Sequence, residues 1–178
     1  MTDRDRLAGE LAAAREFVTA EAGFAQVTTL NRAGFPTART VSAFLAPDWS
    51  VQLVQRGIHR RLDQVRRDPH VLVTWTGTPA PGSRNEAPAV FDLGLLIPRV
   101  VFVQGLAEEM DEEETWATYA AQDRRLREHG HTGAPVRDRA NAATELAGLR
   151  IRPVRVRLEG FGAGAEAFTW TPAEGRES

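Results

Sequence analysis

The chain has 178 residues, a formal net charge of −2 and no cysteine. The missing cysteine excludes disulfides and thiolate metal centres, and the near-neutral charge removes the bulk electrostatic drive of a nucleic-acid binder. Hydrophobic residues make up 42% and charged residues 26%, a balance that lets a single globular domain bury a full core. No apolar run approaches the roughly 20 residues needed to span a bilayer. The opening MTDRDRLAGE also lacks the apolar stretch of a signal peptide, so a cytoplasmic protein is expected.

Residues 3–22 read as a helix, with Leu7, Leu11, Ala14 and Val18 on one face and Gly23 ending it. From Phe24, FAQVTTL alternates and is rich in β-formers, which predicts a strand. NRAGFP, Asn31 to Pro36, reads as a hairpin loop in which Gly34 supplies positive φ, and 37–45 as the returning strand. Pro47 and Asp48 mark a turn before a third strand at 50–55. A fourth follows at 70–76. The polar, Pro- and Gly-rich stretch 78–88 reads as a loop. A long strand is expected over 98–110, with Gly105 as a bulge or bend.

The acids Asp111 to Glu114 suit a helix start, and that helix runs through Trp116, Tyr119 and Leu126 to about Gly130. A short helix is predicted over 141–146. From Leu149, apolar residues alternate with Arg150, Arg152, Arg155 and Arg157, and the period slips at Pro153. These arginines suit the wet face of an amphipathic strand. A last short strand falls at Phe168 to Trp170. The sequence therefore predicts one domain over 1–172, with an N-terminal helix (1–22), a helical insertion (112–147) and a disordered tail at 173–178. Strands joined in hairpins, with helices at fixed points, suggest a mainly β, α+β antiparallel split barrel of six or seven strands.

Between the third and fourth strands lies QRGIHRRLDQVRRDP, Gln55 to Pro69, with five arginines against two aspartates. Ile58, Leu62 and Val65 have helical spacing, and Pro69 stops the helix. Arg60 and Arg61 fall in the first turn, where cations oppose the helix dipole by roughly 0.3–1 kcal/mol each. The stretch is either a solvated basic helix end or a site whose anion removes that conflict. All 22 basic residues are arginine, so arginine at this place is less telling than usual. The histidines His59, His70, His129 and His131 form no metal-ligand pattern, and no metal is expected. Trp49, Trp75, Trp116 and Trp170 are spaced as core or interface anchors.

Four pieces, in order, resemble the pyridoxamine-5′-phosphate-oxidase-like family of FMN-binding split β-barrels. They are VTTLNRAGFPTARTVSAF, QRGIHRRLDQVRRDPHVLVTW, VFVQGLAEEM and RVRLEGFGAGAEAFTW. The resemblance implies FMN as cofactor, with Arg39, Thr40 and Val41 on the strand beside the flavin and Val54 and Gln55 ending the strand that contacts its ring and ribityl chain. Arg60 and Arg61 match the family's basic pair on the phosphate, Arg61 standing where lysine is usual, and His59 stands where a serine is common. Trp170 packs in the core or reaches a flavin from the partner chain.

The resemblance further implies a homodimer with flavin sites at its interface and flavin-dependent oxidoreductase activity on a small-molecule substrate, with NAD(P)H as a candidate donor; the charge and the lack of a long apolar run lead to no nucleic-acid or membrane partner being expected. Pyridoxamine-phosphate oxidases themselves end in Arg-Leu-x-Pro, whereas this chain ends FTWTPAEGRES, so that particular reaction is not expected. A deazaflavin on the same barrel, or a non-catalytic flavin- or haem-binding role, are the alternative readings.

Overall fold

The computed structural model describes residues 3–22, 24–77, 98–128, 130, 132–133, 135–161 and 167–172. The predicted 78–88 loop, Gly23, His129, His131 and the 173–178 tail lie largely or wholly outside the described residues. Helix α1 (Asp3–Glu16) leads into a π-helical turn, Phe17–Glu21. Strands β1 (Ala25–Leu30), β2 (Pro36–Val41), β3 (Phe44–Leu45) and β4 (Val51–Arg56) precede α2 (Arg61–Arg67). Strands β5 (His70–Thr76) and β6 (Val100–Glu109), helices α3 (Glu112–Glu128) and α4 (Arg139–Glu145), and strands β7 (Leu146–Glu159) and β8 (Phe168–Trp170) follow.

All pairings are antiparallel, in the order β2-β1-β5-β6-β7-β4-β3, with β8 beside β7. The result is a curled sheet with flanking helices, the split barrel expected, with the two-residue β3 and three-residue β8 extending the strand count. Strand alternation builds the core: Val27, Leu53, Val73, Trp75, Val101, Val103, Ile151 and Leu158 point inward and are buried. The π-helical turn contributes Phe17, whose ring meets Phe161 edge-on at 5.4 Å. Among the described residues, no helix is long and apolar enough to cross a membrane.

Two expectations need correction. The strand predicted over 37–45 is two strands: β2 pairs with β1, whereas β3 crosses to pair with β4 at the opposite end of the sheet. A hydrophobic pattern carries no record of that change of partner. The first helix is α-helical only to Glu16, because Phe17 and Val18 turn into the core through the π-helical turn. The Asp111 expectation holds in detail, since its carboxylate accepts a hydrogen bond from the Glu114 N–H at 2.8 Å and caps α3.

The Gly105 expectation and the slip at Pro153 are one feature. Gln104 pairs with Arg155 and Gly105 with Pro153, so Val154 bulges out of β7 and is exposed. A Cβ at Gly105 would overlap the Arg152 carbonyl oxygen and an Ile151 methyl. The neighbour is backbone and cannot swing away, so Gly105→Ala should cost about 2–3 kcal/mol. A urea titration checks this as a lowered midpoint with unchanged slope; an unchanged midpoint would show that the bulge yields freely.

Candidate functional site

Helix α2 is held on three sides. Leu62 and Val65 are buried in the core. The Thr29 hydroxyl of β1 donates to Gln64 Oε1 at 2.7 Å, and Arg67 donates to the Leu30 carbonyl. Arg66 makes a bidentate pair with Glu109 of β6, at 2.6 and 2.8 Å. These contacts fix the helix against the β1–β2 hairpin and leave an open groove of about 570 Å3 between them.

The groove is lined by Asn31, Thr37, Arg39 and Thr40 from the hairpin side and by His59, Arg60, Arg61 and Gln64 from α2 and its lead-in. Five of the nine residues singled out from the sequence, Arg39, Thr40, His59, Arg60 and Arg61, thus meet in one place. Gln55 joins through a hydrogen bond, its Oε1 accepting from Arg61 Nη1 at 2.7 Å. Val54 alternates with buried Leu53 and Gln55, so its side chain takes the other face of β4. Val41 packs half-buried against the core. Trp170 is half-buried and stacks edge-on against Trp49 at 6.0 Å. Trp49 lies just before the start of β4 and Gln55 near its end, so within one chain Trp170 belongs to the opposite end of that strand.

Arg60 occupies the cap position and α2 spans only seven residues, so side-chain cations carry more of the anion argument than the helix dipole. Nine arginines among the described residues are ion-paired to carboxylates. Arg39, Arg60 and Arg61 have no carboxylate within ion-pair distance among the described residues; Arg39 donates only to the Ala38 carbonyl. Burial, and then the Arg39 cation, pull the Arg61 guanidinium below its usual range. Like charges held together without a counter-charge favour any anion that enters.

The second indicator is an amide. Gln55 is 8% exposed, and its Nε2 is the buried side-chain polar atom left without a partner among the described residues. Its oxygen is committed to Arg61, so the free N–H groups await an acceptor. An unmet buried donor costs about 1–3 kcal/mol, which a ligand carbonyl or hydroxyl oxygen would recover. Asn31, Gln64 and Arg67 border the same region and are not among the site residues singled out from the sequence. Gln64 and Arg67 follow Arg60 at helical spacings of four and seven, which put them on its face.

Away from the groove, the charged face of β7 is largely neutralised. Arg150 pairs with Glu114, Arg152 with Glu108 at 3.2 Å and Arg157 with Glu159 at 2.7 Å. Among the described residues no cluster of three metal-ligating side chains occurs. His70 is engaged by Asp68 at 2.8 Å.

Neither a protein-family model nor a curated protein matches the chain in sequence. Solved structures match its fold. A heme binding protein from Mycobacterium smegmatis superposes with a TM-score of 0.60 at 20% identity over 91% of this chain, which spans only 58% of that protein. A protein related to general stress protein 26, of the pyridoxinephosphate oxidase family, from Clostridium acetobutylicum gives 0.59 at 12% identity, covering 92% and 95% of the two chains. An F420 reductase gives 0.54 at 13% identity, covering 79% and 94%.

Proposed function

We propose that this chain, which has the split β-barrel fold of pyridoxamine-5′-phosphate-oxidase-like proteins, binds a flavin in the α2 groove, FMN in the simplest case, and acts as a flavin-dependent oxidoreductase. The observation that carries the reading is the convergence of Arg39, Arg60 and Arg61, which have no carboxylate partner among the described residues, with the buried Gln55 amide, whose nitrogen has no partner among them either. Those residues fit a phosphorylated, oxygen-rich cofactor. Arg60 and Arg61 would hold the phosphate by charge-assisted hydrogen bonds, and Gln55 Nε2 would donate to a ribityl or ring oxygen. Arg39, on the exposed edge strand β2, would offset negative charge that accumulates on the ligand. When bound, a flavin supplies the hydride chemistry, with NAD(P)H as a candidate donor. Fold neighbours described as a pyridoxinephosphate oxidase relative and an F420 reductase support this class of chemistry.

The test is direct. Purified protein titrated with FMN should quench flavin fluorescence saturably, and the loaded protein should bleach anaerobically on addition of NADH or NADPH. A haem Soret band on isolation, or no saturable flavin binding, would overturn the reading. Rapid oxidation of pyridoxamine 5′-phosphate is not expected.

We also propose a homodimer with the groove at its interface. Leu72 and Phe102 are half-buried on the outer face of the sheet, in a depression of about 290 Å3 beside Arg155 and Arg157. An obligate homodimer interface of about 2,000 Å2 or more in total would cover such a face. Light scattering should give twice the 19.6 kDa chain mass; a purely monomeric species at micromolar concentration would rule the dimer out.

A further inference from the structure

Arg60 and Gln64 form a ridge, and the groove does not end there. Beside it lies a second depression of about 580 Å3, walled by Arg32 and Ala33 of the hairpin and by Asp63 and Arg67 of α2, with Asn31, Arg60 and Gln64 shared between the two. Arg32 is exposed and makes no hydrogen bond or ion pair among the described residues. Arg67 donates to the Leu30 carbonyl and keeps its remaining N–H groups. The one carboxylate, Asp63, faces Arg66 at 3.8 Å. Arg32, Arg60 and Arg67 therefore outnumber Asp63, the one acid among the described lining residues, and the depression is net positive even though Arg66 is itself held by Glu109.

Arg60 and Arg67 are seven residues apart on α2, about 10 Å along its axis. A single phosphate could bridge Arg60 and Arg61 but would not also reach Arg67, which the Leu30 carbonyl tethers at the other end. We infer that the groove contains two anion subsites, and that its full ligand complement carries a second phosphate or carboxylate about two helical turns beyond the flavin phosphate. This rests on the flavin reading and extends it. The second anion belongs either to the tail of a longer flavin-type cofactor or to a phosphorylated second substrate that docks beside bound FMN. Both present the same chemistry to Arg32 and Arg67.

The experiment compares Arg32→Ala with Arg61→Ala in the full chain. Arg32 makes no hydrogen bond or ion pair among the described residues, so its variant should fold. Fluorescence titration follows FMN and a deazaflavin carrying an oligoglutamate tail on the apoprotein, then NADP+ and NAD+ on the FMN-loaded protein. Arg32→Ala should leave FMN affinity within about twofold, while weakening one two-anion probe about tenfold, the loss of one charge-assisted contact. Loss confined to the tailed deazaflavin identifies a cofactor tail; loss confined to NADP+, with NAD+ unchanged, identifies a second substrate. The inference is overturned if Arg32→Ala alters no probe, or if it weakens FMN as much as Arg61→Ala does. Arg61→Ala without effect on FMN would instead bring down the flavin reading, whatever Arg32 does.

Discussion

Replacing Arg61 by alanine should weaken FMN binding roughly tenfold to a hundredfold, corresponding to about 1.5–3 kcal/mol for a charge-assisted contact. The fold should survive. Arg61 is half-buried at the first position of α2, and among the described residues its side chain donates to the Gln55 side chain alone. The helix is anchored by other residues: Leu62 and Val65 in the core, Gln64 to Thr29, and Arg66 to Glu109. Removing Arg61 also removes the cation that crowds Arg39, so part of the repulsion between the groove's arginines disappears with it. Fluorescence titration of variant and parent, with far-UV circular dichroism as control, checks this. Equal dissociation constants would remove Arg61 from the site.

The chain's architecture was legible wherever a short-range pattern carried it. Strand β5, with Val71, Val73 and Trp75 inward, matches the expected 70–76 because period-2 alternation directly encodes one buried face. Gly105 and Pro153 were each suspicious alone, and the register brings them opposite one another. What escaped depends on long-range pairing. The residues from 37 to 45 look like one strand, yet the chain changes sheet partner after Val41 because β3 must reach β4. The site divides the same way. Arg60 and Arg61 are visible as a basic pair and gain meaning from a family resemblance. The Arg61–Gln55 bond links the end of a strand to the start of a helix across a turn, a geometry that six intervening residues do not specify. Arg32 joins Arg67 only because the β1–β2 hairpin folds over α2, and no local motif contains both.

Gln55 yields the sharper test, because its two expected effects have different sizes. Its amide nitrogen is buried without a partner among the described residues, and an unmet buried donor costs about 1–3 kcal/mol. Gln55→Leu keeps a similar volume, removes that unmet donor, and gives up the oxygen that accepts from Arg61. Arg61 borders an open groove and can turn to water, so its loss is modest. The two terms oppose each other, and the apoprotein's stability should change by less than about 1 kcal/mol in either direction. Ligand binding has no such compensation. The variant can neither donate to a flavin oxygen nor hold Arg61 against the phosphate, and affinity should fall by at least about tenfold. The measurement is thermal unfolding with and without saturating FMN: the apo transitions should nearly coincide, whereas the upward shift produced by FMN should shrink in the variant. A Gln55→Glu variant separates the two roles, since a carboxylate still accepts from Arg61 but cannot donate. If Gln55→Glu binds FMN as well as the parent, the unmet donor has no part in ligand recognition. If Gln55→Leu lowers apo stability by several kcal/mol, Gln55 is a structural residue whose amide hydrogens find partners within the protein.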